Sequence, residues 1–255
     1  MPLKISIVTC TWNSEPYLQQ SIESVLNQDY SDIEQIFVDG GSTDGSLERI
    51  KSLTGNVKYV TGITGGISRA MNVGIEMASG DVIAHLHSDD YFSHSQVLSH
   101  VAKAMEDNQA EWLFGRCLSD IENQQVLEGH AIPHYSYSRL LKGNFIPHPS
   151  TFVRKTLFER GGVFDISIRY AMDYDLWLRF GQLATPVQFD EHLAVFRRHA
   201  GSLSTSNELA SFEDDFSVRM RYVAKNPWSL AYHWAHYFVR RQRVLKSLKS
   251  QGNNS

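Results

Sequence analysis

The chain has 255 residues, 42% hydrophobic and 20% charged, with a formal net charge of −4. That length and apolar content suit one large α/β domain, with or without a small appendage, and exclude a disordered chain. The slight acidity removes any general attraction to nucleic acid. Cys10 and Cys117 stand far apart and form no CxxC, so neither a disulfide framework nor a cysteine zinc site is expected.

The apolar run at Ile5–Thr9 reads as a strand, too short for a signal peptide or a membrane span. No later window reaches the roughly 18 apolar residues that a span needs. The expected location is the reducing cytoplasm, with the protein soluble or peripheral at the inner face of the membrane. Asn13-Ser14-Glu15-Pro16 starts a helix, with proline near its first turn and Leu18, Ile22, Val25 and Leu26 on one stripe. Gln35–Val38 is the second strand, and a glycine-rich loop over Asp39–Ser46 leads to a helix near Leu47. Val57–Val60 is a third strand. Ile67–Met77 is a helix closed by Gly80 as its C-terminal glycine. Val82–Leu86 is a buried strand that ends in Ser88-Asp89-Asp90.

Later elements are less regular. Trp112–Cys117 is a strand and Pro147-His148-Pro149 a break. Thr151–Val153 is a strand entering a short helix, Tyr174–Phe180 a short helix and Leu193–Arg198 a strand. Leu209, Phe212, Phe216, Met220 and Val223 recur at helical spacing, and the polar tail Ser250–Ser255 is expected to fray. Strands alternating with helices predict a mostly parallel sheet flanked by helices, with a C-terminal helical appendage. The domain reading is 1–205 for the α/β unit and 206–250 for the helical extension.

The polar loops after strands one, two and four fall at the carboxyl edge of such a sheet, where open α/β folds bind ligands. Gly40, Gly41 and Gly45 let backbone approach a ligand closely. Asp39 can accept a hydrogen bond from a base ring. Paired acids at a strand end are costly to bury without a cation, and Mg²⁺ or Mn²⁺ bridging a diphosphate suits oxygen ligands. No Walker loop or GxGxxG follows strand one, which counts against a kinase, an ATPase or a simple dehydrogenase.

Four motifs occur in order: Ser6–Asn13, Val38–Ser46, Gly66–Gly74 and Ser88–Asp90. Together they resemble the signature of family 2 glycosyltransferases, over roughly residues 3–205. The resemblance implies the GT-A fold and transfer of a sugar from a nucleoside-diphosphate donor, UDP-type, to a carbohydrate or lipid-linked acceptor hydroxyl in polysaccharide or glycolipid synthesis. It implies that Thr9, Thr11 and Asp39 hold the nucleoside and that Asn13, Gly41 and Ser42 shape its pocket. Arg69 and Asn72 then lie near sugar and phosphates, Asp90 on the metal and Asp89 on ribose or sugar. Asn72 and Asp44 equally suit capping roles.

Ala171–Arg179 resembles the family's base-bearing segment and points to Asp173 as the catalytic base of an inverting displacement. Asp175 is its rival, or a helix N-terminal charge. Met172 stands where the family often has Glu, and Thr64, Gly65 and Arg69 replace frequent acids, which affects the sugar more than the reaction. Val195–Ser204 resembles the closing loop. There His199 either completes the metal site, touches the diphosphate or is structural, and Arg198 offsets phosphate charge. His148 either lines the acceptor side or stabilises its turn, while His85 and His87 read as one strand face. The basic, aromatic stretch Trp228–Lys249, free of acids, suits either an anionic membrane surface or a packing helix. A nucleotidylyltransferase and a non-catalytic sugar-nucleotide-binding protein are the alternatives. The first wants a basic glycine-rich loop that Thr9–Asn13 lacks.

Overall fold

The structure, a computed structural model, describes residues 2–121, 128–129, 132–199 and 207–252. Nine strands form one sheet: β1 (Ile5–Thr11), β2 (Ile33–Asp39), β3 (Val57–Val60), β4 (Val82–His85), β5 (Tyr91–Phe92), β6 (Trp112–Ile121), β7 (Glu128–Gly129), β8 (Thr151–Arg154) and β9 (Val187–Arg198). Their order is β3-β2-β1-β4-β8-β6-β9-β5, with β7 on β6. β3, β2, β1 and β4 run parallel, β8 enters antiparallel between β4 and β6, and β6 and β9 are parallel again.

Every residue of β1 is buried, as a central strand covered on both faces must be. Side-chain alternation splits the core. Ile5 and Ile7 join Val97, Leu98, Val101 and Met105 of one helix, α4 (Val97–Asp107), on one face. Val8 and Cys10 join Met71 of α3 (Ile67–Met77) and Trp177 of α7 (Met172–Leu183) on the other. Trp112 of β6 stacks on Trp177 with centroids 5.7 Å apart, anchoring α7 to the sheet. The helices α1 (Glu15–Leu26), α2 (Ser46–Lys51), α5 (Tyr137–Leu140) and α6 (Lys155–Gly161) complete the layers. At the C-terminus α8 (Glu208–Tyr222) packs on α7, and α9 (Pro227–Gly252) packs on α8.

Several expectations change. Gly80 does not cap α3. The helix ends at Ala78 in extended backbone, and Gly80 lacks positive φ. It is needed because a Cβ there would lie 2.6 Å from Ser6 Oγ and 2.7 Å from the Lys4 carbonyl. α4 was not expected, β6, α7 and β9 are longer than read, and α9 continues to Gly252, through the start of the tail expected to fray. β9 begins at Val187 because pairing with β6 recruits a stretch whose own apolar signal is weak.

Candidate active site

The parallel register places Thr11 opposite Asp39, so the loops after β1 and β2 meet. Asn13 takes the left-handed backbone conformation, φ 48°. Its N–H donates to Ser42 Oγ at 2.9 Å, and its Oδ1 accepts from the Thr43 N–H at 2.9 Å. Ser14 N–H donates to Ser46 Oγ, and Ser88 Oγ to Ser14 Oγ at 2.7 Å, which ties in the loop after β4. Asp39, fully buried, accepts from the Gly41 N–H (2.8 Å), Ser42 Oγ (2.5 Å) and Thr61 Oγ1 (2.7 Å). Burial alone would push this carboxyl up, but these hydrogen bonds outweigh it and hold it below the usual range. Gly41 sits at φ 95°, which lets its N–H turn back to Asp39. Thr9 and Thr11 are buried, and Thr11 Oγ1 has no hydrogen-bond partner. Trp12, 70% exposed, lies over Gly40 at the loop mouth, a placement its motif position did not signal. Asp44 behaves as a cap, accepting from the Glu15 and Ser46 N–H groups at the starts of α1 and α2.

The two acids after β4 face different ways. Asp90 is buried and its Oδ1 accepts from the Arg197 N–H at 3.0 Å. Burial first, then the neighbouring Asp89, drives its carboxyl well above the usual range. The Arg197 side chain is sealed among Tyr17, Tyr91 and Asp120. Asp89 is more open, with Oδ2 3.1 Å from His199 Nε2, and the His199 ring lies 4.7 Å from that of Tyr17. The two atoms stand at hydrogen-bonding distance, and an imidazole nitrogen and a carboxylate oxygen are both atom types that a divalent cation takes. Arg198, at the end of β9, and Arg69, on α3, are exposed. Residues 200–204 of the closing loop lie outside the described residues.

Asp173 stands in the first turn of α7. Its Oδ1 accepts from the Tyr174 N–H at 2.7 Å and its Oδ2 from Asn144 Nδ2 at 3.1 Å. Burial dominates and pushes the carboxyl up to about 6. Asp215 of α8 lies within its field; burial, then Asp173, push Asp215 up to about 7. Neither Asn144 nor Asp215 stood out in the sequence, because Glu213-Asp214-Asp215 reads as the wet side of an amphipathic helix. Asp214 accepts from the Tyr170 and Ala171 N–H groups and so caps the approach to α7. Asp175 is committed elsewhere: Oδ2 pairs with Arg179 Nε at 2.9 Å and Oδ1 accepts from Tyr222 Oη at 2.7 Å.

Between these regions His85, His87 and His148 gather. His148 stacks on Phe164 at 5.6 Å and meets both other imidazoles at 5.4 Å. Burial lowers all three, His85 to about 3, so the cluster is neutral. Nε2 of His85, Nδ1 of His87 and Nε2 of His148 lack hydrogen-bond partners. Asn72 anchors the Phe164 backbone with both amide atoms, Nδ2 to the carbonyl at 2.8 Å and Oδ1 from the N–H at 2.9 Å. Among the described residues the three-ligand cluster His94, His100 and Glu191 lies away from these loops. Gln96 N–H donates to His94 Nδ1 there, which leaves His94 Nε2 to carry its proton toward Glu191 as an ordinary hydrogen-bonded pair.

The family model for glycosyl transferase family 2 matches residues 6–160. An uncharacterized glycosyltransferase of Haemophilus influenzae is 35% identical over 148 residues, 56% of this chain and 59% of its own length. One from Rickettsia prowazekii is 25% identical over 246 residues, 92% of this chain and 77% of its own. The chondroitin synthase of Pasteurella multocida is 28% identical over 183 residues, 70% of this chain and 19% of the synthase's own length. Among solved structures, S. aureus TarS 1-349 in complex with UDP-GlcNAc aligns with a TM-score of 0.72 at 18% identity, covering 94% of this chain and 72% of that one. The mannosyltransferase PcManGT from Pyrobaculum calidifontis, in complex with GDP-Man and Mn²⁺, aligns at 0.68 and 15% identity over 98% and 81%. The structural likenesses establish a shared GT-A fold. The match to more than half of the chain, over the stretch that builds the loops after β1, β2 and β4, shows that this protein belongs to glycosyl transferase family 2.

Proposed function

We propose that the protein transfers a sugar from a UDP-type nucleoside-diphosphate donor to an acceptor hydroxyl, with inversion, in polysaccharide or glycolipid assembly at the cytoplasmic side of a membrane. The placement of Asp173 carries this reading. It is a half-buried carboxylate, oriented by Asn144, with a pKa of about 6, close to the working range of a general base. Asp173 accepts the acceptor hydroxyl's proton as that oxygen bonds to the anomeric carbon. The bond from that carbon to the diphosphate breaks, and a single displacement inverts the centre. Thr9, Thr11, Asn13, Asp39, Gly41 and Ser42 hold the nucleoside, Thr11 Oγ1 offering an unused hydrogen bond. Arg69 and Arg198, both exposed, balance phosphate charge.

The ion is assigned to Asp89 and His199, with Asp90 behind them. This differs from the sequence expectation of Asp90 on the metal, because Asp90 faces the Arg197 backbone and Asp89 meets His199. Bound Mn²⁺ or Mg²⁺ would supply electrostatic stabilisation of the leaving diphosphate. UDP in the TarS complexes and Mn²⁺ in PcManGT support donor and ion, and the chondroitin synthase likeness supports a sugar acceptor.

Calorimetric titration with UDP, GDP and dTDP, with and without Mn²⁺, tests the donor site. The expected result is Mn²⁺-dependent UDP binding, weakened at least about tenfold, about 1.4 kcal/mol, in Asp89→Ala. Equal binding with and without metal would remove the ion from the reading. No nucleotide binding would remove the donor.

A further inference from the structure

A cavity of about 470 Å³ opens between the turn after α5 and helix α9, lined on one side by Lys142, Gly143 and Asn144. The same Asn144 donates to Asp173, so the cavity wall and the base share a residue. None of its lining residues comes from the loops after β1, β2 or β4, so it is separate from the donor loops. Its charge is one-sided. Arg139, Lys142, Arg240 and Arg243 line it with His236, no acid lines it, and none of the four cations is ion-paired to a carboxylate among the described residues.

The arrangement is built rather than incidental. His236, Val239, Arg240 and Arg243 recur at three and four residues, which puts them on one face of α9. The Arg219 and Arg240 guanidinium groups both donate to the Lys142 carbonyl, at 2.7 and 3.4 Å. Gly143 makes room for this, because a Cβ there would lie 2.8 Å from Arg240 Nη1. Asp215 lies within the field of Arg219 and Arg240, so one nearby carboxylate meets a group of four lining cations. Four formal positive charges exceed what one carboxylate offsets, and guanidinium forks match phosphate oxygens in pairs.

Resting on Asp173 as the base, we infer that the acceptor is phosphorylated: this cavity takes a phosphate or diphosphate of the acceptor and thereby presents its hydroxyl to Asp173. The same anion could belong to a lipid-linked sugar or to a phosphate-bearing polar chain.

Calorimetric titration of the full chain with methyl phosphate, decyl phosphate and octyl glucoside below its micelle concentration tests this. The variants are Lys142→Gln, Arg243→Gln and Asp173→Asn, each checked for fold by circular dichroism. Both phosphates should bind and octyl glucoside should not. Each Gln variant should weaken phosphate binding about tenfold, as expected for losing one charge-assisted contact. Decyl phosphate binding more than tenfold tighter than methyl phosphate would identify a lipid-linked acceptor; equal binding would identify a polar chain. Phosphate binding that is absent, or that survives both Gln variants, would overturn the inference. Asp173→Asn should keep phosphate binding while losing transfer. If it keeps transfer, the base reading falls, and binding alone still decides the cavity.

Discussion

Two carboxylates, Glu34 fully buried and Asp173 half-buried, show how desolvation leads to opposite outcomes. Glu34, fully buried, accepts from Ser6 Oγ, the Ser79 N–H and Lys58 Nζ. Burial alone would raise it, but these partners outweigh burial and hold it down to about 2. Because the folded value lies below the unfolded value of about 4.3, its contribution is fully present above that pH and is lost as pH falls toward about 2. Glu34→Ala strands several donors and should cost about 3 kcal/mol. Differential scanning calorimetry at neutral pH should then show Tm lower by about 6–12 °C. A change under 2 °C would mean that water replaces the carboxylate freely. Asp173 has two neutral donors and no cation, so burial wins. Its kcat/KM should rise with pH through a midpoint near 6 and fall about 10²–10⁴-fold in Asp173→Asn. Burial rather than Asp215 is what raises Asp173, so Asp215→Asn should leave that midpoint in place. A midpoint that moves with Asp215→Asn instead would make the two acids a single proton-sharing pair. Asp173 was legible because its Tyr-Asp-Leu-Trp surroundings are distinctive. Asp215 and Asn144 were not, because each acquires its position only when α8 and the turn after α5 close on α7.

At the scale of elements, α3 carries Arg69 and Asn72 and is set by its contact with β1. Gly74 packs so closely that a Cβ would lie 2.2 Å from Val8 Cγ1. Helix propensity would favour alanine by about 1 kcal/mol, whereas forcing a methyl into a packed interface costs about 1–3 kcal/mol. The clash should win. Urea unfolding of Gly74→Ala should show a lower midpoint, with nucleotide binding weakened as α3 shifts away from the donor loops. A raised midpoint would mean that the interface yields. Continuous apolar runs and a 3.6-residue stripe made β1, β2, β4 and α3 legible to within two residues at each end. α4 carries an equally regular stripe, Val97, Leu98, Val101, Ala102 and Met105. The first half of β9 carried little signal of its own: Val187, Gln188 and His192 pair with β6, while Asp190 and Glu191 fall at a register shift between them.

Across the whole molecule, the C-terminal helices decide how the cleft meets its surroundings. α9 divides its aromatic residues. Tyr237 stacks on Phe216 at 4.1 Å and Trp234 meets Phe216 at 4.8 Å, which spends part of the face on α8. Trp228, Tyr232 and Phe238 remain 86%, 49% and 57% exposed, and Arg243 and Lys246 are exposed further along the same helix. No helix among the described residues is long and apolar enough to cross a membrane. Exposed aromatics and basic residues on one helix suit the headgroup region instead, where each basic residue near an anionic surface adds about 1 kcal/mol. Two such residues give a preference for anionic over neutral vesicles of about 30-fold. Cosedimentation of the full chain with phosphatidylglycerol-containing and pure phosphatidylcholine vesicles should show that preference. It should shrink at 1 M salt, where the Debye length falls to about 3 Å. The double variant Trp228→Ser, Phe238→Ser should bind both vesicle types less, because it removes the apolar anchor while leaving the charge. Equal partition to the two vesicle types would assign the exposed face to contact with another protein copy, and the concentration dependence of the sedimentation coefficient without lipid would then show that association.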